Sequence, residues 1–377
     1  MNESGINRER LLATFVELLH INAPSRREGP IARHVAAMLT ALGASVRYDN
    51  AGEAIGGEVG NLIARLEGGL DAPALLLCAH LDTIEPTAAL ALRREHGAFA
   101  SDGTTILGAD DRAGVAAILE VARALTERGA PHPPLELVFT VAEEVGVMGS
   151  MALDAAGLTA VMGFVPDTTG PVGTIITRAP AQKHLAVTIH GKAAHAGVSP
   201  EQGISAITVA ARAIAGMRQG SIDEETTANI GVIHGGKATN IIADTVRLEG
   251  EARSRDPKKL AAQAAHMVAC FEETAAEAGA RAEITVSDVY PSFNLADDAP
   301  VVRAARGAAE ALGVQPLTAA TGGGSDANFL NARGIPTVIL STGYRQPHCP
   351  DEQQDEEELV RLAAWLYLIV RRAAAHT

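Results

Sequence analysis

At 377 residues the chain is long for a single hydrophobic core, and 47% hydrophobic with 20% charged residues is the composition of a globular protein. With 31 basic against 45 acidic side chains the formal charge is -14, which argues against nucleic acid or an anionic membrane as partner and points to a small molecule or a metal ion. The three cysteines, Cys78, Cys270 and Cys349, are too scattered for a disulfide framework or a Cys-x-x-Cys zinc site. Met1 to Arg10 is polar without a signal-peptide core, and no apolar run approaches the roughly 18 residues of a spanning helix, so a cytoplasmic protein is expected.

In chain order, Leu11, Leu12, Phe15, Val16, Leu18 and Leu19 form an apolar stripe with helical spacing over Asn7 to His20. Pro24 stops that helix, and Pro30 opens a second that runs to Leu42 with Gly43 as its C-terminal cap. Ser45 to Tyr48, Asn61 to Leu66 and Ala74 to Ala79 read as strands, and Glu85 to Leu107 as a hairpin or loops. The apolar run from Leu75 reads as a strand buried on both faces, and it ends in His80 and Asp82. Alternation places these two side chains on the same side if the strand continues. An imidazole beside a carboxylate suits a metal ligand with its orienting partner, or equally a packed histidine satisfied by its neighbour.

Gly108-Ala109-Asp110-Asp111-Arg112-Ala113-Gly114 follows, ahead of an apolar helix from Val115 to about Leu125. Two aspartates at a helix start serve as cap and dipole compensation, yet the flanking glycines suggest a backbone that bends sharply for another purpose. The buried strand Leu135 to Val141 runs into Glu143-Glu144, adjacent like charges that repel unless a cation lies between them. The strand Ala160 to Val165 ends in Pro166-Asp167. From Gln182 to Val289 the order strand, helix, strand, strand, helix, strand is the ferredoxin-like β-α-β-β-α-β pattern, which can fold as an inserted domain. The first pattern then resumes with a helix from Val301 to Leu312, the loop Thr321 to Asp326, a strand from Thr337 to Leu340 and a last helix from Asp355 to Arg372. His348, between Pro347 and Pro350, lies in the loop before that helix; by itself it reads as a surface histidine in a rigid loop.

The expected architecture is therefore α/β. A catalytic domain with a mixed, mostly parallel sheet flanked by helices comprises 1–179 and 290–377, and an inserted α+β ferredoxin-like lid or dimerisation domain comprises 180–289. Strand-end residues collect as His80, Asp82, Asp110, Asp111, Glu143, Glu144, Asp167 and His348. Imidazole and carboxylate without thiolate suit zinc, manganese or cobalt rather than a structural zinc site, and this many anions are better balanced by two divalent ions than by one.

This set, His80-x-Asp82, Asp110-Asp111, Glu143-Glu144, Asp167 and His348, resembles the M20 family of dinuclear metallopeptidases, and within it the peptidase T (tripeptide aminopeptidase) branch. Gly191 to Gly197 around His195, Ala238 to Ile242 around Asn240, and Glu251-Ala252-Arg253-Ser254 extend the likeness through the insert. The resemblance implies that His80 and Asp167 bind one metal, Glu144 and His348 the other, and Asp110 both, across a cis Asp110-Asp111 peptide. It implies Asp82 as the partner of His80 and Glu143 as general base. His195 would help stabilise the oxyanion in the partner subunit's site, and Asn240, Arg253, Gly323 and Ser325 would contact substrate. Expected on this basis are two zinc ions per subunit, a small-peptide substrate, a homodimer formed through the insert, and removal of the N-terminal residue of tripeptides. An M20-type amidohydrolase acting on N-acyl or N-carbamoyl amino acids is the alternative. For the insert, the residues alone read otherwise: His195 solvated, and Arg253 paired with Glu251 or Asp256.

Overall fold

The computed structural model describes residues 5–373, so Met1 to Ser4 of the polar N-terminus lie outside the described residues. Helix Arg8–Leu19 forms where its apolar stripe predicts, capped by the Asn7 side chain accepting from the Arg10 N–H, and it buries Leu11, Leu12, Phe15, Leu18 and Leu19. The chain divides into two compact units. The first comprises the residues up to Arg178, Leu295–Thr321 and the residues from Ser325 on; the second comprises Ala179–Asn294 with Gly322–Gly324.

The sheet of the first unit runs in the order Ser45–Tyr48, Leu62–Leu66, Leu135–Thr140, Leu75–His80, Met162–Thr168, Thr337–Ser341, Thr174–Ala179. Leu75–His80 is parallel to both of its neighbours, and Thr337–Ser341 is parallel to Met162–Thr168. The two strands at the Ser45 edge pair antiparallel. Every residue of Leu75–His80 and of Leu135–Thr140 is buried, as strands in the middle of a sheet covered on both faces require, and the one acidic residue among them, Glu136, is paired with Arg65 at 2.9 Å. Helix Ala109–Arg128 packs on Leu75–His80 and Met162–Thr168, and helices Arg8–Leu19 and Glu356–Ala373 pack on it in turn. Trp365, on the last of these helices, is fully buried, its indole N–H donating to the Ala305 carbonyl at 2.9 Å.

The second unit is an antiparallel sheet, Thr226–Gly235, Thr245–Ser254, Ala181–His190, Arg281–Tyr290, with helices Ala206–Gly216 and Pro257–Glu277 packed on it. Its own core includes Leu185, Val187, Ile189, Leu248, Met267 and Phe271. Among the described residues no helix is long and apolar enough to cross a membrane.

Two boundaries differ from expectation for reasons that bear on function. The helix expected from Val115 starts at Ala109, with Asp110 and Asp111 off helical geometry at ψ 111° and 37°. The strand expected to stop at Val165 continues through Pro166 and Asp167, since its pairing with Thr337–Ser341 extends beyond the proline. Segment 85–107 contains the short hairpin Arg93–Glu95 and Ala98–Ala100, whose second strand pairs with Gln353–Asp355.

A buried asparagine joins three of these segments. Asn61 is fully buried; its amide N–H₂ donates to Asp49 Oδ2 at 2.8 Å and to the Gly149 carbonyl at 2.9 Å, and its Oδ1 accepts the Val141 N–H at 3.1 Å. Replacing it with an apolar residue of similar size strands the Gly149 carbonyl and the Val141 N–H and leaves Asp49 Oδ2 only the Asp154 N–H. Asn61→Leu is expected to lower stability by about 2–4 kcal/mol in urea-induced unfolding followed by circular dichroism; a loss under about 0.5 kcal/mol would show that this network does not hold the segments together.

Candidate metal centre

Adjacent parallel strands deliver their C-terminal ends to one edge of a sheet, and ligand sites of α/β folds are built there. Leu135–Thr140, Leu75–His80 and Met162–Thr168 lie side by side, with His80 directly opposite Thr140 in the register. The residues that follow or close these strands, His80, Asp82, Glu143, Glu144 and Asp167, therefore share an edge, and Asp110 comes to it from the start of the next helix.

Asp110 organises the cluster. Its Oδ1 lies 3.0 Å from His80 Nε2 and its Oδ2 lies 3.3 Å from His348 Nε2, so each oxygen faces a different imidazole. Asp167 Oδ1 is 3.7 Å from His80 Nε2 on one side, and Glu144 Oε2 is 3.1 Å from His348 Nε2 on the other. The Asp110-Asp111 peptide is cis. His80, Asp110 and Glu144 can present ligand atoms all within 4.8 Å of one another, and so can His80, Asp111 and Asp167. Asp111 is among the strand-end residues collected from the sequence, but the family resemblance assigns it to neither metal. Its Oδ1 accepts the Gly114 N–H at 3.0 Å, while its Oδ2 has no hydrogen-bond partner. Gly114 must be glycine here: a Cβ would sit 2.4 Å from Asp111 Oδ1 and 2.6 Å from the Pro166 carbonyl oxygen.

Asp82, expected as the partner of His80, performs a wider task. His80 Nδ1 is 3.0 Å from the Asp82 backbone oxygen and 3.6 Å from its Oδ1. The carboxylate itself accepts the Glu143 N–H at 3.0 Å, the Glu144 N–H at 3.1 Å and the Ser25 hydroxyl at 2.7 Å, which leaves the imidazole to the carbonyl. Just upstream, Ala142 adopts φ 52°, a conformation a non-glycine residue holds only under constraint, and its N–H donates to buried Glu28 Oε1 at 2.9 Å. On the opposite flank, buried Glu352 accepts the Gly108 N–H at 2.7 Å and the Asp110 N–H at 3.1 Å. Arg112, also buried, donates to the carbonyls of Leu81 and Ile21.

The electrostatics show what this cluster lacks. Burial pushes Glu143 and Asp111 well above the usual carboxylate range, raises Glu144, and brings Asp167 up to about 7, with neighbouring carboxylates adding to each rise. Asp110 goes the other way: burial opposes its ionisation, but His348 and His80 hold it below the usual range. His348 is in turn raised to about 10, first by its hydrogen bond to Asp110 and then by Glu144. Glu144 Oε1, like Asp111 Oδ2, is buried without a partner. Crowded buried carboxylates, two imidazoles and orphaned oxygens are the donor set that a divalent cation satisfies, so the residues present fit such an ion.

The remaining expected site residues fall in two places. Ser325 belongs to the first unit, is buried, and donates its hydroxyl to Asp167 Oδ2 at 3.1 Å. His195 and Asn240 lie in the second unit on exposed segments that meet through the backbone: the Ala196 N–H donates to the Asn240 carbonyl at 2.9 Å, and His195 bridges to Ile241. Arg253 is held by Glu251 in a two-point pair, Nε to Oε1 and Nη2 to Oε2, each 2.9 Å, and its Nη1 lies 3.5 Å from the Gly322 carbonyl, next to half-buried Gly323.

Sequence reasoning missed Glu28, Glu352, Ser25 and Asp326. Asp326 is fully buried, accepting the Thr140 hydroxyl at 2.5 Å with the Cys78 thiol 3.6 Å away. None lies at the end of a buried strand, the signal that located the others. The loop Gly322 to Asp326 was expected to contact substrate through Gly323 and Ser325, with no role for Asp326.

Comparison with known proteins agrees with this architecture. The model of peptidase family M20/M25/M40 matches residues 76–372. The protein YqjE of Bacillus subtilis (strain 168) is 43% identical over 369 residues, 98% of this chain and 100% of that one. The crystal structure of aminopeptidase PepT from Bacillus cereus is 43% identical, with a TM-score of 0.89 over 98% of this chain and 100% of that one. That of a tripeptidase from Staphylococcus aureus is 42% identical, with a TM-score of 0.94 over 98% and 99%. The chain belongs to peptidase family M20/M25/M40 and is a hydrolase.

Proposed function

We propose that this enzyme is a co-catalytic dinuclear zinc peptidase that removes the N-terminal residue of tripeptides or similarly short peptides. One observation supports two metals above all others: the two oxygens of Asp110 face different imidazoles, with Asp167 beside the first and Glu144 beside the second. This divides the ligands into two sets sharing one carboxylate, His80 with Asp167 and His348 with Glu144. When bound, two divalent ions supply Lewis acidity for the scissile carbonyl and a more acidic water for the attack.

Glu143 acts as general base in this reading. It lies beside Glu144, its backbone held by Asp82, and burial gives its carboxylate the raised proton affinity that base catalysis near neutral pH requires. It takes a proton from the attacking water and passes it to the leaving amine, which departs as a free amino group. Asp82 keeps the 143–144 backbone and the His80 ring in register. The tripeptide preference is supported by likeness to proteins titled aminopeptidase PepT and tripeptidase. The contributions of His195, Asn240, Arg253, Gly323 and Ser325 to substrate binding, and a homodimer through the second unit, are carried by the same resemblance. The two-point pairing of Arg253 with Glu251 implies that a substrate carboxylate must compete for that guanidinium.

Three outcomes test this reading. Unblocked tripeptides should release a free N-terminal residue in a chromatographic assay of the zinc-loaded enzyme, whereas turnover confined to N-acyl or N-carbamoyl amino acids would replace the peptidase with the amidohydrolase. Glu143→Ala should retain two zinc equivalents by atomic emission while kcat falls roughly 100- to 10,000-fold; a variant that keeps most of its activity removes Glu143 from the mechanism.

The third concerns the metal-stripped protein. Asp167 holds its proton to about pH 7 in the fold against about 4 when unfolded, and His348 holds its own to about 10 against about 6.5, so in both cases the native state binds more protons in the window between. Stability then falls as pH rises. The melting temperature of the stripped protein should drop between pH 5 and 9, and the gain on adding zinc should be larger at pH 8 than at pH 5; a flat or rising profile would contradict the charge frustration described above.

A further inference from the structure

At the opposite end of the same strands lies a cavity that the metal centre does not use. It has a volume of about 470 Å³ and opens where Leu75–His80 and Met162–Thr168 begin, so Leu75 and Met162 form part of its floor. One wall is helix Pro300–Ala311, through Arg303 and Ala304; the other is the last turn of Glu356–Ala373, through Ile369 and Arg372. The volume falls within the range of small-molecule sites, and the lining is aliphatic apart from two guanidinium groups.

Those guanidiniums belong to the minority in the first unit that hold no hydrogen-bond or ion-pair partner among the described residues. Most arginines of the first unit are engaged: Arg8 with Glu356 and Glu357, Arg10 with Glu120 and Glu127, Arg65 with Glu67 and Glu136, Arg94 with Glu356. The guanidinium groups of Arg303 and Arg372 have no hydrogen-bond or ion-pair partner among the described residues, and no aspartate or glutamate among those residues lines the cavity. In a protein of formal charge -14, an aliphatic cavity bordered by two cations and, among the described residues, no anion is complementary to one kind of molecule. We infer that this cavity binds an amphipathic carboxylate, an apolar body on the order of ten carbons whose carboxylate is received by Arg303 and Arg372. The inference uses no residue of the metal centre and holds whatever that centre hydrolyses.

Sodium decanoate is the probe, titrated calorimetrically below its micelle concentration into the full-length, zinc-loaded protein. Saturable one-site binding is expected, weakened at least about tenfold in Arg303→Glu/Arg372→Glu, and decylammonium should bind wild type at least about tenfold more weakly than decanoate. Both arginines are exposed, so the double variant should fold, as a thermal melt checks. Ala304→Trp, which fills the cavity, should abolish binding. No saturable binding below about 1 mM overturns the inference. So does decanoate binding unchanged in the double variant, or equal affinity for decylammonium. Vesicles of anionic phospholipid separate a free carboxylate from a lipid surface: no co-sedimentation is expected, and co-sedimentation lost in the double variant would replace the proposed ligand with a membrane.

Discussion

One carboxylate between two imidazoles is the arrangement on which the rest of this protein depends. For Asp110 to face His80 with one oxygen and His348 with the other, the chain must leave helical geometry at Asp110 and Asp111 and recover it at once, because helix Ala109–Arg128 continues beneath the sheet as a main layer of the core. The helix is thus both scaffold and the source of the carboxylate that faces both imidazoles. Its glycine at 114 is dictated by the close approach of Asp111 and the Pro166 carbonyl, so the packing of helix on strand and the aim of the carboxylates are a single constraint.

Around this centre lies a set of buried carboxylates whose partners are backbone amides. Asp82 takes the N–H groups of Glu143 and Glu144, Glu352 those of Gly108 and Asp110, and Glu28 that of Ala142. A buried carboxylate without such donors is costly, and one that receives them fixes the segment that offers them. Burial nevertheless brings Glu28 and Glu352 up to about 7, so part of the cost is still felt. The same fold holds negative charge together at one end of its strands and, at the other, leaves two guanidiniums beside an aliphatic cavity.

Much of this was legible because a parallel sheet converts sequence pattern into position. Mainly apolar runs mark Leu75–His80 and Leu135–Thr140 as central strands, and polar residues at their ends must then emerge on one edge. His80, Glu143, Glu144 and Asp167 were found in that way, and Asp110 and His348 by their position beside glycines and prolines close to strand ends. Glu352 could not be found so. It meets Asp110 across 242 residues of sequence, and nothing in its neighbours distinguishes a glutamate that clamps a backbone from one that is solvated. The same holds for Glu28 and for the pairing of Asp82 with two amides rather than with His80 alone.

The amino-acid sequence by itself determined the α/β class, the antiparallel second unit and the residue types gathered at the strand ends, because apolar periodicity and the alternation of side chains are local properties of the chain. Only the tertiary structure decided which oxygen faces which nitrogen, that Asp111 stands beside His80 and Asp167, that Arg253 is held by Glu251, and that Arg303 and Arg372 border a cavity without acidic partners. Those are outcomes of distance and burial between segments far apart in sequence, where small shifts in packing choose among partners that composition leaves equivalent.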